Sequence, residues 1–220
     1  MAPLLFVLVF GAVAIGTYYF QARARQVRAR SIAALAQAVG FTFSASDTAG
    51  IAEMPFSLFR MGRGHKAGPV ISGTHNGLPL RIFDYQYVTG EGRSRQVHRN
   101  TCAILTVPAA CPVLRLTHEN ALTRLADHFE HHDVKLEYDD FNLRFQVSCE
   151  HQKFAFSLLD AQMMEWLLTS DSFDRVEIVG PWVLLVRTRL EPARWLSLGN
   201  WLTAFHQHIP EVVYSAYPPR

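Results

Sequence analysis

Cysteine is scarce in this chain. Three in 220 residues is an odd number and too few for a disulfide-built scaffold; it fits free thiols in a reducing compartment. Charge is sparse as well, 18% against 49% hydrophobic residues with no biased tract, which excludes a disordered chain and a coiled-coil rod. Glycine and proline are scattered and modest in number, 13 and 11, so a collagen-like repeat is excluded too. Catalytic signatures are equally thin. There is no His-Glu-x-x-His pattern, the Gly-rich stretch 62–68 lacks both Walker spacing and its Lys-Ser/Thr end, and no alternation of strands and helices points to a dinucleotide-binding fold.

What is present begins at the amino terminus. Residues 3–20 form an uncharged run of eighteen, and a helix of that length spans about 27 Å, close to the roughly 30 Å of a bilayer core. Tyr18, Tyr19 and Phe20 stand at its end, where amphipathic rings favour headgroups, and Arg23, Arg25, Arg28 and Arg30 follow. No Lys or Arg precedes the run. These six residues, Tyr18, Tyr19 and the four arginines, are therefore the candidate membrane-flanking, lipid-facing set. The positive-inside rule holds the carboxyl-terminal domain in the cytoplasm of a single-pass inner-membrane or plasma-membrane protein. The competing reading is a cleaved signal peptide, because Ala12-Val13-Ala14 fits a small-x-small cleavage site. It lacks the basic n-region, and all the positive charge follows the apolar run.

Charge is unevenly shared. Residues 1–100 hold 11 Lys and Arg against 4 Asp and Glu, and residues 101–220 hold 10 against 15. The basic half is the one nearest the membrane. It includes Arg60, Arg63, His65 and Lys66 in one expected loop and Arg93, Arg95, His98 and Arg99 in another. A basic surface gains about 1 kcal/mol per Lys or Arg close to an anionic leaflet, so anionic lipid headgroups are an expected partner. Solvated loops are the simpler reading of the same residues. The pI near 8.5 comes with no nucleic-acid-binding motif, and no nucleic-acid partner is expected.

The rest reads as one α+β domain. Ile32, Leu35, Ala36 and Val39 fall on one helical stripe that ends at Gly40, so the chain divides into an anchor (1–22), a basic helical stalk (23–40) and a globular domain (41–220). A short helix is expected at 55–59. Asn76-Gly77 marks a type I′ hairpin between strands 69–74 and 78–88. Further strands are expected at 97–107, 113–116, 175–179 and 182–190. Phe141, Leu143, Phe145 and Val147 alternate with polar neighbours like a half-buried strand. Helices are expected around Leu122 to Phe129, around Leu159 to Leu167 and after Pro192. About four helices and a mainly antiparallel sheet follow.

Several of these residues carry a resemblance. Phe56 and Phe59, Phe83-Asp84-Tyr85 with Tyr87, Phe141-Asn142 with Phe145 and Val147, and the stretch from Phe154 to Met163-Met164 resemble a group of bacterial membrane-anchored proteins of unknown function. The resemblance implies an amino-terminal membrane helix before a cytosolic domain. It brings no catalytic residues and no cofactor.

Three constellations are chemically suggestive. His128, His131 and His132 have i, i+3, i+4 spacing that can bring imidazoles onto one metal, although the end of a helix also favours histidine without one. Cys149-Glu150-His151 places a thiol, a carboxylate and an imidazole in a row, but a catalytic pair normally joins distant segments. Asp84, Tyr85 and Tyr87 on one expected strand, with Asp139-Asp140 before another, offer carboxylates and phenols for acid–base work, or simply packing and a turn. The expected function is a non-enzymatic interaction or scaffolding module at the inner membrane face, with a protein partner and no cofactor. The alternative is a metal-dependent sensor or enzyme using the three histidines.

Overall fold

Asn76 and Gly77 both take positive φ, 49° and 83°, which is what a two-residue type I′ turn between right-twisted strands requires. They join β2 (Arg63–His75) to β3 (Leu78–Thr89) as an antiparallel hairpin. The structure, a computed structural model, describes residues 2–119, 134–170 and 173–219, with side chains from Ile15 onward. The short β1 (Thr42–Ser44) lies beside β2. The expected basic loops are largely strand: Arg63, His65 and Lys66 belong to β2, and His98 and Arg99 to β4 (Gln96–His118).

β4 runs straight through the two prolines expected to interrupt it. The sequence expectation of separate strands at 97–107 and 113–116, and at 175–179 and 182–190, gives way to two long strands, β4 and β6 (Arg175–Thr188), paired antiparallel along both halves. Pairing survives because the irregularities coincide: the register slips between Thr106, Cys111 and Leu114, opposite Gly180 at φ 57°. The ribbon bends sharply there. Twelve residues of straight strand would span roughly 40 Å, yet the N–H of Asp174 donates to the carbonyl of Val186 at 2.9 Å. β6 therefore doubles back on itself. β5 (Phe145–Cys149) pairs with the last part of β4.

The expected strand over 141–147 is corrected. Asp139–Arg144 is a helix, α2, and only Phe145 onward is extended. Phe141 and Phe145 are both buried with ring centroids 4.9 Å apart, and Leu143, which alternation would bury, is 75% exposed. Asp139 and Asp140 open the helix, where the dipole favours acids. The side chain of Asn142 closes the segment by accepting from Leu136 N–H at 3.1 Å and donating to Leu136 carbonyl at 2.6 Å.

Among the described residues there are six α-helices against about four expected. The first, α1 (Ala2–Ala38), is continuous, so anchor and stalk form one element. Its end is as expected: Gly40 has φ 72°, and Phe41 N–H bonds Ala36 carbonyl at 2.8 Å. Side chains are described only for the half that carries the arginines. Among the described residues no helix is long and apolar enough to cross a membrane. The helix expected around Leu159 to Leu167 is α4 (Ala161–Thr169), opened by Asp160, whose side chain accepts from Met163 N–H at 2.8 Å, and α3 (Gln152–Leu158) before it is additional. α5 (Trp195–His208) and α6 (Glu211–Ala216) complete the chain. The short helix at 55–59 is a 3-10 turn, Ser57–Arg60.

The sheet separates two cores. On one face Ile71, Leu80, Ile82, Ala103 and Leu105 pack with α1, α4 and α5. On the other, Phe83, Tyr85, Tyr87, Cys102 and Ile104 pack under Phe56 and Phe59. Alternation along β3 distributes its side chains to the two sides.

Candidate functional site

α1 joins the domain through a narrow stripe. Ile32 and Ala36 are buried, and one helical turn earlier the same stripe reaches Arg28. Its guanidinium grips Asp84 of β3 with two bonds, Nε to Oδ2 at 2.6 Å and Nη2 to Oδ1 at 2.8 Å, and Nη2 also reaches the carbonyl of Leu190 at 2.6 Å. The pair is largely dry, with 13% and 10% of the two side chains exposed. Its charged, forked geometry is the strong form of a hydrogen bond. The guanidinium carbon also lies 5.9 Å from the Trp195 ring centroid. Asp84 accepts further bonds from Arg189 at 3.3 Å and Thr101 Oγ1 at 3.2 Å, and Thr101 in turn receives Leu190 N–H at 2.9 Å. Arg28 is thus a latch between helix and sheet, which corrects its expected lipid-facing place. Tyr18, Tyr19, Arg23, Arg25 and Arg30 are exposed.

Beyond the latch the helix parts from the sheet. From Phe20 to Val27 every residue of α1 is exposed, and between this stretch and β2, β3 and β4 opens a groove of about 1020 Å³. Its helix wall runs from Phe20 to Ser31 and includes Arg28, whose bonds to Asp84 tie helix to sheet. Small residues shape its walls, Ala24 on the helix and Ala45 and Gly68 opposite. Its lining is strongly positive: Arg23, Arg25, Arg28, Lys66, Arg99 and Arg189 face two acids, Asp84 and Glu191. Asp84 is already committed to Arg28 and Arg189. Arg99 is held toward Gln86 at 3.3 Å.

The other candidates are dispersed. The Cys149 thiol donates to the backbone carbonyl of His151 at 3.3 Å and not to its ring. Burial raises its pKa, which makes a poor nucleophile. Cys102 and Cys111 are also buried free thiols, and burial pushes Cys111 up to about 11. Asp84 and Tyr85 face opposite sides of β3. The Tyr85 hydroxyl meets His65 Nδ1 at 2.7 Å, and burial first, then the neighbouring Cys102 and Tyr87, pushes its pKa well above the usual phenol range. Tyr87 stacks on His98, whose pKa is lowered by burial. Asp139 and Asp140 begin α2 instead of forming a turn. His128, His131 and His132 lie outside the described residues, and among the described ones no group of three His, Cys, Asp or Glu side chains is placed to hold a metal.

A second buried ion pair has no sequence signature. Arg175 Nε lies 3.0 Å from Glu177 Oε1 with both side chains almost wholly enclosed. Glu177 also accepts the N–H groups of Ser57 and Leu58, at 2.8 and 3.1 Å, and so pins the 3-10 turn over the Phe56 core.

No protein-family description matches the chain, and neither does any curated protein sequence. The fold is shared with a solved structure, the mycobacterial trehalose monomycolate transport factor A, TtfA. That likeness has a TM-score of 0.57 at 15% identity and covers 83% of this chain and 96% of the other. It is a likeness of architecture.

Proposed function

We propose that this chain is a membrane-tethered, non-enzymatic interaction module. The uncharged run 3–20 attaches it to the inner or plasma membrane, and the α+β domain works at the cytoplasmic face with a protein partner. The observation that carries this reading is that α1 is one unbroken helix from Ala2 to Ala38 whose last turns are built into the domain core. Whatever holds the first half of such a helix also orients the domain, unlike a flexible linker that only limits its distance. The arginines after the run keep the domain on the cytoplasmic side. Dispersal of the Cys149–His151 and Asp84–Tyr85 constellations favours binding over chemistry. The fold shared with a protein described as a transport factor is in keeping with a transport-related role. The motif resemblance to membrane-anchored bacterial proteins belongs to the same proposal.

The test is fractionation of cells expressing the full chain, together with a carboxyl-terminal reporter pair, one fluorescent only in the cytosol and one active only after export. Recovery with membranes through alkaline wash, release by detergent and cytosolic reporter fluorescence are expected. A soluble full-length chain, an active exported reporter or mature protein beginning at Ile15 overturns the reading.

A further inference from the structure

The groove between α1 and the sheet has the wrong charge to stay empty beside an anionic bilayer. We propose that it is a binding site for the phosphate headgroup of an anionic phospholipid, with Arg23, Arg25 and Lys66 as the primary anion ligands and Arg99 and Arg189 behind them. The inference rests on the membrane tether proposed above and names the lipid that the tethered domain takes.

Charge comes first. Six cations and two carboxylates line the groove, and the Arg28–Asp84 latch removes one of each from consideration while Arg189 leans on the same carboxylate. Among the described residues, the side chains of Arg23, Arg25 and Lys66 form no ion pair or hydrogen bond with the protein. Arg63, by contrast, is paired with Glu91. Cations left unpaired on two facing walls repel each other across the opening, and a phosphate with several acceptor oxygens relieves that repulsion from both sides.

Shape and position decide which phosphate. The helix wall of the groove includes Arg28 of the latch and, two turns earlier, Phe20, the last residue of the uncharged run. Apolar side chains mark this route: Phe20 is 74% exposed and Val27 54%, both on the helix wall of the groove. A soluble anion has no use for an apolar rim. A lipid whose headgroup enters between Arg25 and Lys66 leaves its acyl chains along Phe20, on the side where the helix continues into its apolar half. An acidic peptide satisfies the charge but not this one-sided apolar exit.

The test uses the full chain in an uncharged detergent. Lipid retention is read by native mass spectrometry after addition of phosphatidylglycerol or phosphatidylcholine, for wild type, for Arg25→Glu/Lys66→Glu, and for Lys135→Glu/Lys153→Glu as a control of equal net charge outside the groove. Wild type and control should retain phosphatidylglycerol over phosphatidylcholine, and the groove variant should lose that retention by about tenfold or more. All four substituted sites are exposed, and equal melting midpoints establish that each variant is folded. Equal loss in the control, absence of any preference for the anionic lipid, or full displacement by glycerol phosphate or a glutamate-rich peptide overturns the assignment. Membrane fractionation of the same variants separates the two proposals. Wild type lost from membranes defeats the tether, whereas membrane-bound protein without lipid selectivity defeats the groove alone.

Discussion

Removing Asp84 should cost more than removing the arginine it holds. In Asp84→Ala, Arg28 and Arg189 are left facing each other with no acid between them, and Thr101 loses an acceptor. Breaking a fully buried pair by deleting one partner costs about 3–5 kcal/mol. Here the side chains keep 10–13% exposure and Arg189, at 38%, can turn to water, so about 2–3 kcal/mol is expected. In Arg28→Ala, Asp84 keeps Arg189 and Thr101, and the loss is about 1–2 kcal/mol, from the two charged bonds, the Leu190 carbonyl contact and the stacking on Trp195. Urea unfolding of the full chain in mild detergent measures both, and for a domain of this size the Asp84 variant should melt roughly 4–12 °C lower. The double variant should be less destabilised than the sum by about 1–2 kcal/mol, since each single change strands a charge that the double does not. Hydrogen exchange adds a local readout: amides 24–31 should exchange faster in Asp84→Ala while those of Ser57 and Leu58 stay protected by Glu177. Arg28→Ala costing as much as Asp84→Ala, or zero coupling between them, would refute the latch.

His98 and His206 both have pKa values lowered from 6.5 by burial. Their unfolded forms therefore bind protons more readily, and stability should be fully present above about pH 6.5 and fall as pH drops through the lowered folded values. Ring titration by NMR should give midpoints below 6.5, and a midpoint at or above it, or stability that rises on acidification, contradicts the burial argument. Gly62 has φ 70°, and a Cβ there would sit 2.3 Å from the carbonyl oxygen of Val88. Neither backbone can yield cheaply, so Gly62→Ala should lose about 2 kcal/mol or more, read as a lower urea midpoint, whereas Gly77→Ala, with open space around it, should lose about 1 kcal/mol from its positive φ alone.

Local chemistry decided the parts of this protein that the sequence alone determines. Asn76-Gly77 fixes its own turn because only that backbone twist suits the strands, and Gly40 ends α1 because no neighbour is needed to favour a left-handed residue there. The stripe Ile32, Leu35, Ala36 and Val39 is likewise visible without a partner, and extended one turn back it touches Arg28, which is the one signal that could have found the latch. Tertiary structure decided the rest. The spacing of Phe141, Phe145 and Val147 fits a strand from Phe141 onward as well as a helix followed by a strand. The choice falls to the ring packing of Phe141 on Phe145 and to Asn142 closing on Leu136. Pro108, Pro112 and Pro181 read as breaks, yet pairing runs through because β4 and β6 bend at the same level. Asp84 and Glu177 look like ordinary strand acids. Their partners lie 56 and 120 positions away in Arg28 and Ser57, and a charge becomes a latch or a groove lining only once folding removes the water around it and sets the opposite wall in place.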